Sequence, residues 1–385
     1  MTRAHDIVLY GATGFTGGLV AEHLARVPGL SWALAGRNRA ELEAARARLV
    51  GIDPKFAGLP LLDADASDAA SLSRMAASAR VVITTVGPYA ELGEPLVRAC
   101  VEAGTDYVDL TGEPAFVDRM IAVHGAAARE AKVKIVNACG FDSIPHDMGV
   151  LRTVRALDAE GPVRVRGYVE ARGQFSGGTW HSAIGAFANP GAVAKARHAR
   201  KPLLPSALRR VHGEGRLHRV ARLGKWACPL PTIDPDVVLR SARVVDGYGI
   251  DFTYGHHVAV KSIATIAGGA VAIGGIVALS QFPPTRRWLL KRKAQGDGPS
   301  DDTRAKGWFR CTFIGEGDGR TVTTEVSGGD PGYTETAKML AESALCLVRD
   351  RDALPARYGV VTTAEAMDDK LIPRLEAVGI RFRTE

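Results

Sequence analysis

The chain has 385 residues, enough for two domains, and its 24% charged and 46% hydrophobic side chains are ordinary for a soluble globular protein. The net charge of +7 is modest, comes largely from the middle of the chain (Arg197 to Lys201, Arg209-Arg210, Arg286 to Lys293), and accompanies no nucleic-acid motif, so no nucleic-acid partner is expected. Five widely spaced cysteines show neither C-x-x-C pairing nor histidines at metal spacing; with no signal peptide in view, the expectation is a reducing cytosol and no metal.

In chain order, the apolar run Ile7-Val8-Leu9-Tyr10 reads as a strand and Leu19, Val20, Leu24 and Ala25 as a helix face. Between them lies Gly11-Ala12-Thr13-Gly14-Phe15-Thr16-Gly17. A strand, a tight glycine turn and a helix in that order make a diphosphate site. Bare backbone approaches the phosphates, and the helix N-terminus offers unpaired N–H groups. Gly11, Thr13, Gly14, Phe15, Thr16 and Gly17 are therefore assigned to a dinucleotide. The alternative is a structural turn.

The next strand, Trp32–Ala35, runs into Gly36-Arg37-Asn38-Arg39. An NAD site usually has an acid here for the ribose 2′-hydroxyl. This chain has arginines instead, which suit a 2′-phosphate. Arg37 and Asn38 are thus assigned to NADP(H), against the reading that Arg37 and Arg39 are a solvated helix start.

Further strands are expected at Pro60–Leu62, Val81–Thr85, Tyr107–Leu110 and Ile135–Asn137. Helices are expected at Arg39–Leu49, Ala69–Ala77, Leu96–Ala103 and Phe116–Ala131. Six strands with intervening helices predict an α/β fold, a Rossmann-type doubly wound parallel sheet over residues 1–150. Asp65 either meets the adenine or caps a helix. Gly87-Pro88-Tyr89, at a strand end, is placed beside the nicotinamide ribose; Tyr89 stacks on the cofactor, donates a proton, or is a packed aromatic. Gly140 opens the loop to Pro145, where Asp142 or Ser143 either caps the next helix or closes the nicotinamide pocket. His146 and Asp147 follow as candidate proton carriers.

After Gly149 the rhythm changes. Val163–Ala171, Val237–Val245, Gly307–Gly315 and Arg320–Ser327 read as half-exposed strands, with a hairpin turn at Gly317-Asp318-Gly319. A second, α+β domain with a mainly antiparallel sheet is expected over 151–332. Thr334–Arg349 and Ala364–Ala377 read as helices, and residues 333–385 are expected to return to the first domain. His181 follows a glycine-bearing loop and is either catalytic or structural. His256-His257 has no acidic third ligand nearby in sequence and is not assigned to a metal. Ser262 to Thr285 carries no charge over 24 residues and is followed by five basic residues up to Lys293. It reads as a buried helix or hairpin, a lipid-facing or acyl-chain wall, or a membrane span.

Several of these phrases together resemble one family. Gly11–Gly17, Ala35-Gly36-Arg37, Thr85-Val86-Gly87-Pro88-Tyr89, Tyr107 to Glu113 and Gly140-Phe141-Asp142-Ser143-Ile144-Pro145 resemble the saccharopine dehydrogenase-like reductases. Gly298-Pro299-Ser300, Arg304 to Trp308 and Ser327 to Tyr333 look like its trans-acting enoyl reductase branch. The resemblance covers nearly the whole chain. It implies NADPH-dependent reduction of an enoyl thioester carried by a polyketide synthase during complex-lipid assembly. The implied partner is an acyl thioester on a carrier protein. The charge-free stretch Ser262 to Thr285 and the basic residues after it separately suggest a peripheral contact with the inner face of the membrane, and a homodimer is a further expectation.

Two alternatives stay open: a reductase of a C=N or C=O substrate on the same fold, and a lipid-surface protein that binds NADPH without turnover. The catalytic candidates are Tyr89, Asp142, His146 and His181. No tyrosine has a lysine four residues later, so the short-chain dehydrogenase pair is absent. Enoyl reduction does not need it, because aimed donors for the developing enolate and one proton source suffice.

Overall fold

The computed structural model describes residues 3–173, 177–188, 190–200, 203, 204, 206–292 and 298–385. Two sheets carry the architecture. The first is parallel throughout. In chain order it contains β1 (His5–Tyr10), β2 (Trp32–Gly36), β3 (Leu61–Asp63), β4 (Ala79–Thr84), β5 (Asp106–Asp109), β6 (Lys134–Val136) and, from far along the chain, β14 (Gly359–Val361). The spatial order is β14-β6-β5-β4-β1-β2-β3. The chain builds outward from β1 to β3, then crosses back to lay β4 on the other side of β1, where Ile7 pairs with both Trp32 and Val81. Such a reversal opens a crevice at the carboxyl ends of the two strands.

Ile7, Val8, Leu9 and Tyr10 are all buried, as a central strand covered on both faces requires. Local chemistry sets the helix starts. The Asn38 side chain accepts the amides of Ala40 and Glu41, and that of Asp68 accepts Ala70 and Ser71.

The second sheet contains β7 (Pro162–Arg172), β8 (Arg210–Glu214), β9 (His218–Val220), β10 (Lys225–Pro229), β11 (Asp251–Val260), β12 (Trp308–Gly317), β13 (Arg320–Gly328) and β15 (Arg381–Thr384). Its pairs are antiparallel except for β11 with β7 and with β8. Asp318 and Gly319, at φ 49° and 72°, turn β12 into β13 at the expected hairpin.

Two expectations about elements fail. Val237–Val245 is not a strand but part of the helix Asp234–Val244, whose buried residues include Val237, Val238, Ser241 and Ala242. The β-branched valines suggested a strand, yet their burial recurs at helical spacing, and Asp234-Pro235 starts the helix. Ala364–Ala377 is two short helices, Thr363–Met367 and Leu371–Ala377, broken at Asp368, whose φ is 50°.

The end of the chain joins both sheets. Helix Thr334–Arg349 is buried along nearly its whole length and touches the first helix, Phe15–Ala25, where His23 Nε2 lies 2.8 Å from Glu342 Oε1. β14 then edges the first sheet and β15 the second.

Ser262 to Thr285 is not a buried element. It forms helix Ile263–Ser280, followed by helix Pro283–Lys291, and within the first of these only Ser280 is buried.

Candidate active site

The crevice at the sheet reversal holds a cavity whose walls come from both halves of the chain. Gly14, Phe15, Thr16 and Gly17 form one side; Thr85, Gly87, Pro88 and Tyr89, after β4, form the next. Leu110, Gly112 and Glu113 follow β5, and Asp142 follows β6. Gly177, Gly178 and Ser182 of helix Gly177–Ala188, with Tyr333, close it.

The glycine turn separates into two roles. A Cβ on Gly17 would stand 2.1 Å from the Gly11 carbonyl oxygen, and one on Gly11 would stand 2.6 Å from Thr85 Oγ1. Gly11 also has φ +92° and accepts the Thr85 hydroxyl at 3.0 Å. These two glycines let the turn close on itself. A Cβ on Gly14 meets nothing nearer than 3.6 Å. The packing of the protein does not require glycine there, and the space beside it opens into the cavity. No side chain caps the first helix, so its leading amides remain for an anion. Thr13 lies within the same turn, half-buried.

The region after β2 divides likewise. Asn38 is a helix cap. Arg39 is engaged by Glu43, Asp63 and the Leu61 carbonyl. Arg37 is exposed, and among the described residues no hydrogen bond or ion pair holds it. Asp65 accepts the Ser67 amide and hydroxyl at 2.8 and 2.7 Å; these bonds, more than the nearby charge of Arg37, hold its carboxyl below the usual range. An uncapped glycine turn and an uncommitted arginine at the end of the neighbouring strand fit a phosphorylated dinucleotide.

Around the nicotinamide end, the candidates diverge. Tyr89 is buried and its hydroxyl donates to the Thr84 carbonyl at 3.1 Å, so it forms wall rather than an aimed donor. Gly140 faces Thr336 and Leu110, a close-packing position outside the cavity lining. His181 lies in a helix, not a loop, with Nε2 3.1 Å from the Leu290 carbonyl. His146 is buried behind the loop, its ring edge-on to Phe141 and to His256. Asp142 alone of the four both lines the cavity and carries an uncommon charge state. Burial first, and then the charge of Asp234, push its carboxyl up to about 7.

Asp234 also corrects the reading of His256-His257. An acid does stand beside His256, supplied by a helix start 22 residues earlier. Its Oδ2 is 3.5 Å from His256 Nε2, and its Oδ1 is 3.6 Å from His146 Nε2. The Tyr254 hydroxyl lies 3.1 Å from His256 Nδ1. Burial lowers both imidazoles to about 3. Both imidazoles therefore stay neutral near pH 7.

Sequence reading missed Glu113 and Ser182. The Glu113 carboxylate accepts the amides of Tyr89 at 3.0 Å and Ala90 at 2.8 Å, and the Ser182 hydroxyl at 2.9 Å. It ties the β4 loop to the helix of the second half. Helix pattern and turn chemistry carry no signal for such a long-range clamp. Glu113→Ala should cost about 2–4 kcal/mol, because buried amides lose their acceptor. Urea titration should show a lower midpoint at unchanged slope, with Glu113→Gln between the two; an unchanged midpoint would exclude the clamp.

Asp109 fixes the adjoining strand ends. It accepts the Tyr107 hydroxyl, the amides of Thr111 and Ala138, and the Asn137 side chain, all within 3.0 Å. Burial nevertheless pushes its carboxyl up to about 6.

The three later phrases converge here as well. Gly298 lies against the Phe15 ring, Arg304 stands 5.5 Å over it, and Tyr333 packs edge-on to it at 5.1 Å. Asp330 accepts the amides of Tyr333 and Thr334. Segments distant in sequence thus pack around Phe15 at the start of the first helix.

Fold and site together define an NADP-dependent oxidoreductase. The comparisons agree. The family model described as the saccharopine dehydrogenase NADP binding domain matches residues 7–136. A trans-acting enoyl reductase of Mycobacterium ulcerans is 36% identical over 410 residues, covering 98% of this chain and 97% of the relative. A Mycobacterium tuberculosis protein with the same description is 35% identical over 422 residues, covering 99% and 98%. Among solved structures, apo saccharopine dehydrogenase (L-Glu forming) of Saccharomyces cerevisiae covers 99% of this chain and 100% of its own, with a TM-score of 0.57 at 13% identity, a likeness of fold. The chain belongs to the saccharopine dehydrogenase-like oxidoreductases, in the trans-acting enoyl reductase branch.

Proposed function

We propose that this protein uses NADPH to reduce the carbon–carbon double bond of an enoyl thioester. The observation that carries the reading is the single cavity in which the glycine turn faces Asp142 and Ser182; the full-length likeness to trans-acting enoyl reductases supplies the bond reduced. NADPH supplies the hydride. The chain supplies position, donors and a proton. The glycine turn and first helix hold the diphosphate, and Arg37 holds the 2′-phosphate. Charge that develops on the thioester oxygen needs an aimed donor; the Ser182 hydroxyl is on that wall and serves once its proton turns from Glu113 to the substrate oxygen. Asp142, half-buried in the cavity wall with its carboxyl raised by desolvation and by Asp234, delivers the proton to the α-carbon.

The sign of the pH dependence follows. An acid catalyst works while protonated, so turnover should fall as pH rises through about 7. Asp142→Asn should lower kcat by about 10²–10⁴-fold and remove that limb of the profile. An unchanged kcat and profile would take the proton donor elsewhere. The reading itself is tested by NADPH oxidation with a trans-2-enoyl thioester, with the saturated thioester as control. Oxidation that does not depend on the enoyl compound contradicts it.

The same reading puts the protein in the cytosol, takes its acyl thioester from a carrier protein, and brings it to the inner face of the membrane. The exposed apolar helix Ile263–Ser280 supports the last of these.

A further inference from the structure

Helix Ile263–Ser280 has 18 residues, a mean hydropathy of 2.0 and 6% of its residues buried. Val271 is 77% exposed and Ile273 55%. A helix that is apolar all round is ordinarily covered, and the described residues of this chain do not cover it. The next turn and helix add an exposed Phe282, at 64%, and Trp288, at 50%, whose ring carries the Arg292 guanidinium at 4.2 Å. Arg286, Arg287, Lys291 and Arg292 stand there, and the sequence has no Asp or Glu from Ser262 through Gly296. An apolar helix beside aromatic and basic side chains, with no acid among them, matches a bilayer surface with anionic headgroups.

Topology excludes a single crossing. The chain leaves β11 at Val260 and re-enters the second sheet at Trp308. Both strands flank β7 and meet it at the same end, with Val258 opposite Val169 and Trp308 opposite Arg172. Departure and return are on one side, whereas one crossing would put them on opposite sides. The helix that follows, Pro283–Lys291, has nine residues, too few and too basic to recross.

The hairpin is also joined to the cavity. Trp180 Nε1 donates to the Leu289 carbonyl at 2.8 Å, and Gln281 Nε2 donates to the Phe187 carbonyl at 2.8 Å. Trp180 and Phe187 belong to the helix whose first turns carry Gly178 and Ser182 in the cavity wall.

Resting on the membrane contact proposed above, we infer that residues 262–292 form a docking hairpin that lies in the anionic face of a bilayer without spanning it, so that a long acyl chain passes between lipid and the cavity along helix Gly177–Ala188. Flotation tests this with vesicles of equal parts phosphatidylglycerol and phosphatidylcholine, against phosphatidylcholine alone. The full chain should float with the anionic vesicles and be released by high salt or carbonate. Val271→Asp/Ile273→Asp, both exposed and outside the cavity, should lower bound protein at least about tenfold while NADPH affinity stays the same. Arg286→Glu/Arg287→Glu should abolish the preference for anionic lipid. Anionic vesicles should lower KM for a long-chain enoyl thioester and leave that for a four-carbon one unchanged.

No flotation by a protein that reduces the short thioester would overturn the inference while sparing the proposed activity. Flotation without reduction would do the reverse. Resistance to carbonate would show deep insertion and overturn the surface geometry. If the Val271 and Ile273 changes instead turn a dimer into a monomer on gel filtration, with lipid binding intact, a second copy covers the helix and the inference fails.

Discussion

Gly14→Val should lose NADPH binding by at least about 100-fold in calorimetric titration while keeping its circular dichroism spectrum and melting temperature. Gly14 has φ −74° and ψ 163°, a conformation valine adopts readily. Its added Cβ meets nothing of the protein nearer than the Gly11 carbonyl oxygen at 3.6 Å. The fold therefore tolerates the change, and what the side chain fills is the face of the turn that lines the cavity. Gly17→Val is the contrasting case. Its Cβ falls 2.1 Å from the Gly11 carbonyl oxygen, so the turn itself must open and stability should fall with binding. Equal NADPH affinity in Gly14→Val and the unaltered protein would remove the diphosphate from this turn.

Arg37→Asp should reverse the cofactor preference. The unaltered protein is expected to bind NADPH much more tightly than NADH, because Arg37 stands uncommitted at the end of β2. A charge-assisted hydrogen bond to a phosphate contributes roughly 1.5–3 kcal/mol. Loss of that bond, with an anion in its place, should weaken NADPH by about 10²–10³-fold and leave NADH nearly unchanged. Arg39→Asp should do much less, since that guanidinium is already held by Glu43, Asp63 and a carbonyl. Equal affinity of the unaltered protein for the two cofactors would contradict the assignment.

The two arginines show what a sequence can and cannot reveal here. Local order placed both near a 2′-phosphate; which one was free depended on acids elsewhere in the chain. The first sheet was legible because its central strands, such as Ile7–Tyr10 and Val81–Thr84, are apolar runs separated by turn residues and helical patterns, and period and punctuation suffice for that. β14 was not legible: a three-residue edge strand more than 200 residues from its partner has no periodicity to read. Nor was helix Asp234–Val244, where valine-rich composition masked helical spacing.

The site divides along the same line. Gly11, Gly14 and Gly17 are a local device and read directly. Glu113 clamping Ser182, and Asp234 standing between His146 and His256, are meetings of distant segments. Asp142 was readable as a candidate, but its raised carboxyl depends on burial and on Asp234, neither of which is written near it. The phrases around Gly298, Arg304 and Tyr333 were visible as motifs, and only the fold showed that they meet around Phe15.

The central claim is hydride delivery from NADPH to a carbon–carbon double bond. Its most direct test is the product formed from NADPH deuterated at the transferred position of C4 and a trans-2-enoyl thioester, read by mass spectrometry with fragmentation. The account predicts the saturated acyl thioester, with one deuterium at the β-carbon and a solvent proton at the α-carbon. Deuterium on a carbinol or aldehyde carbon, with the double bond intact, would contradict it.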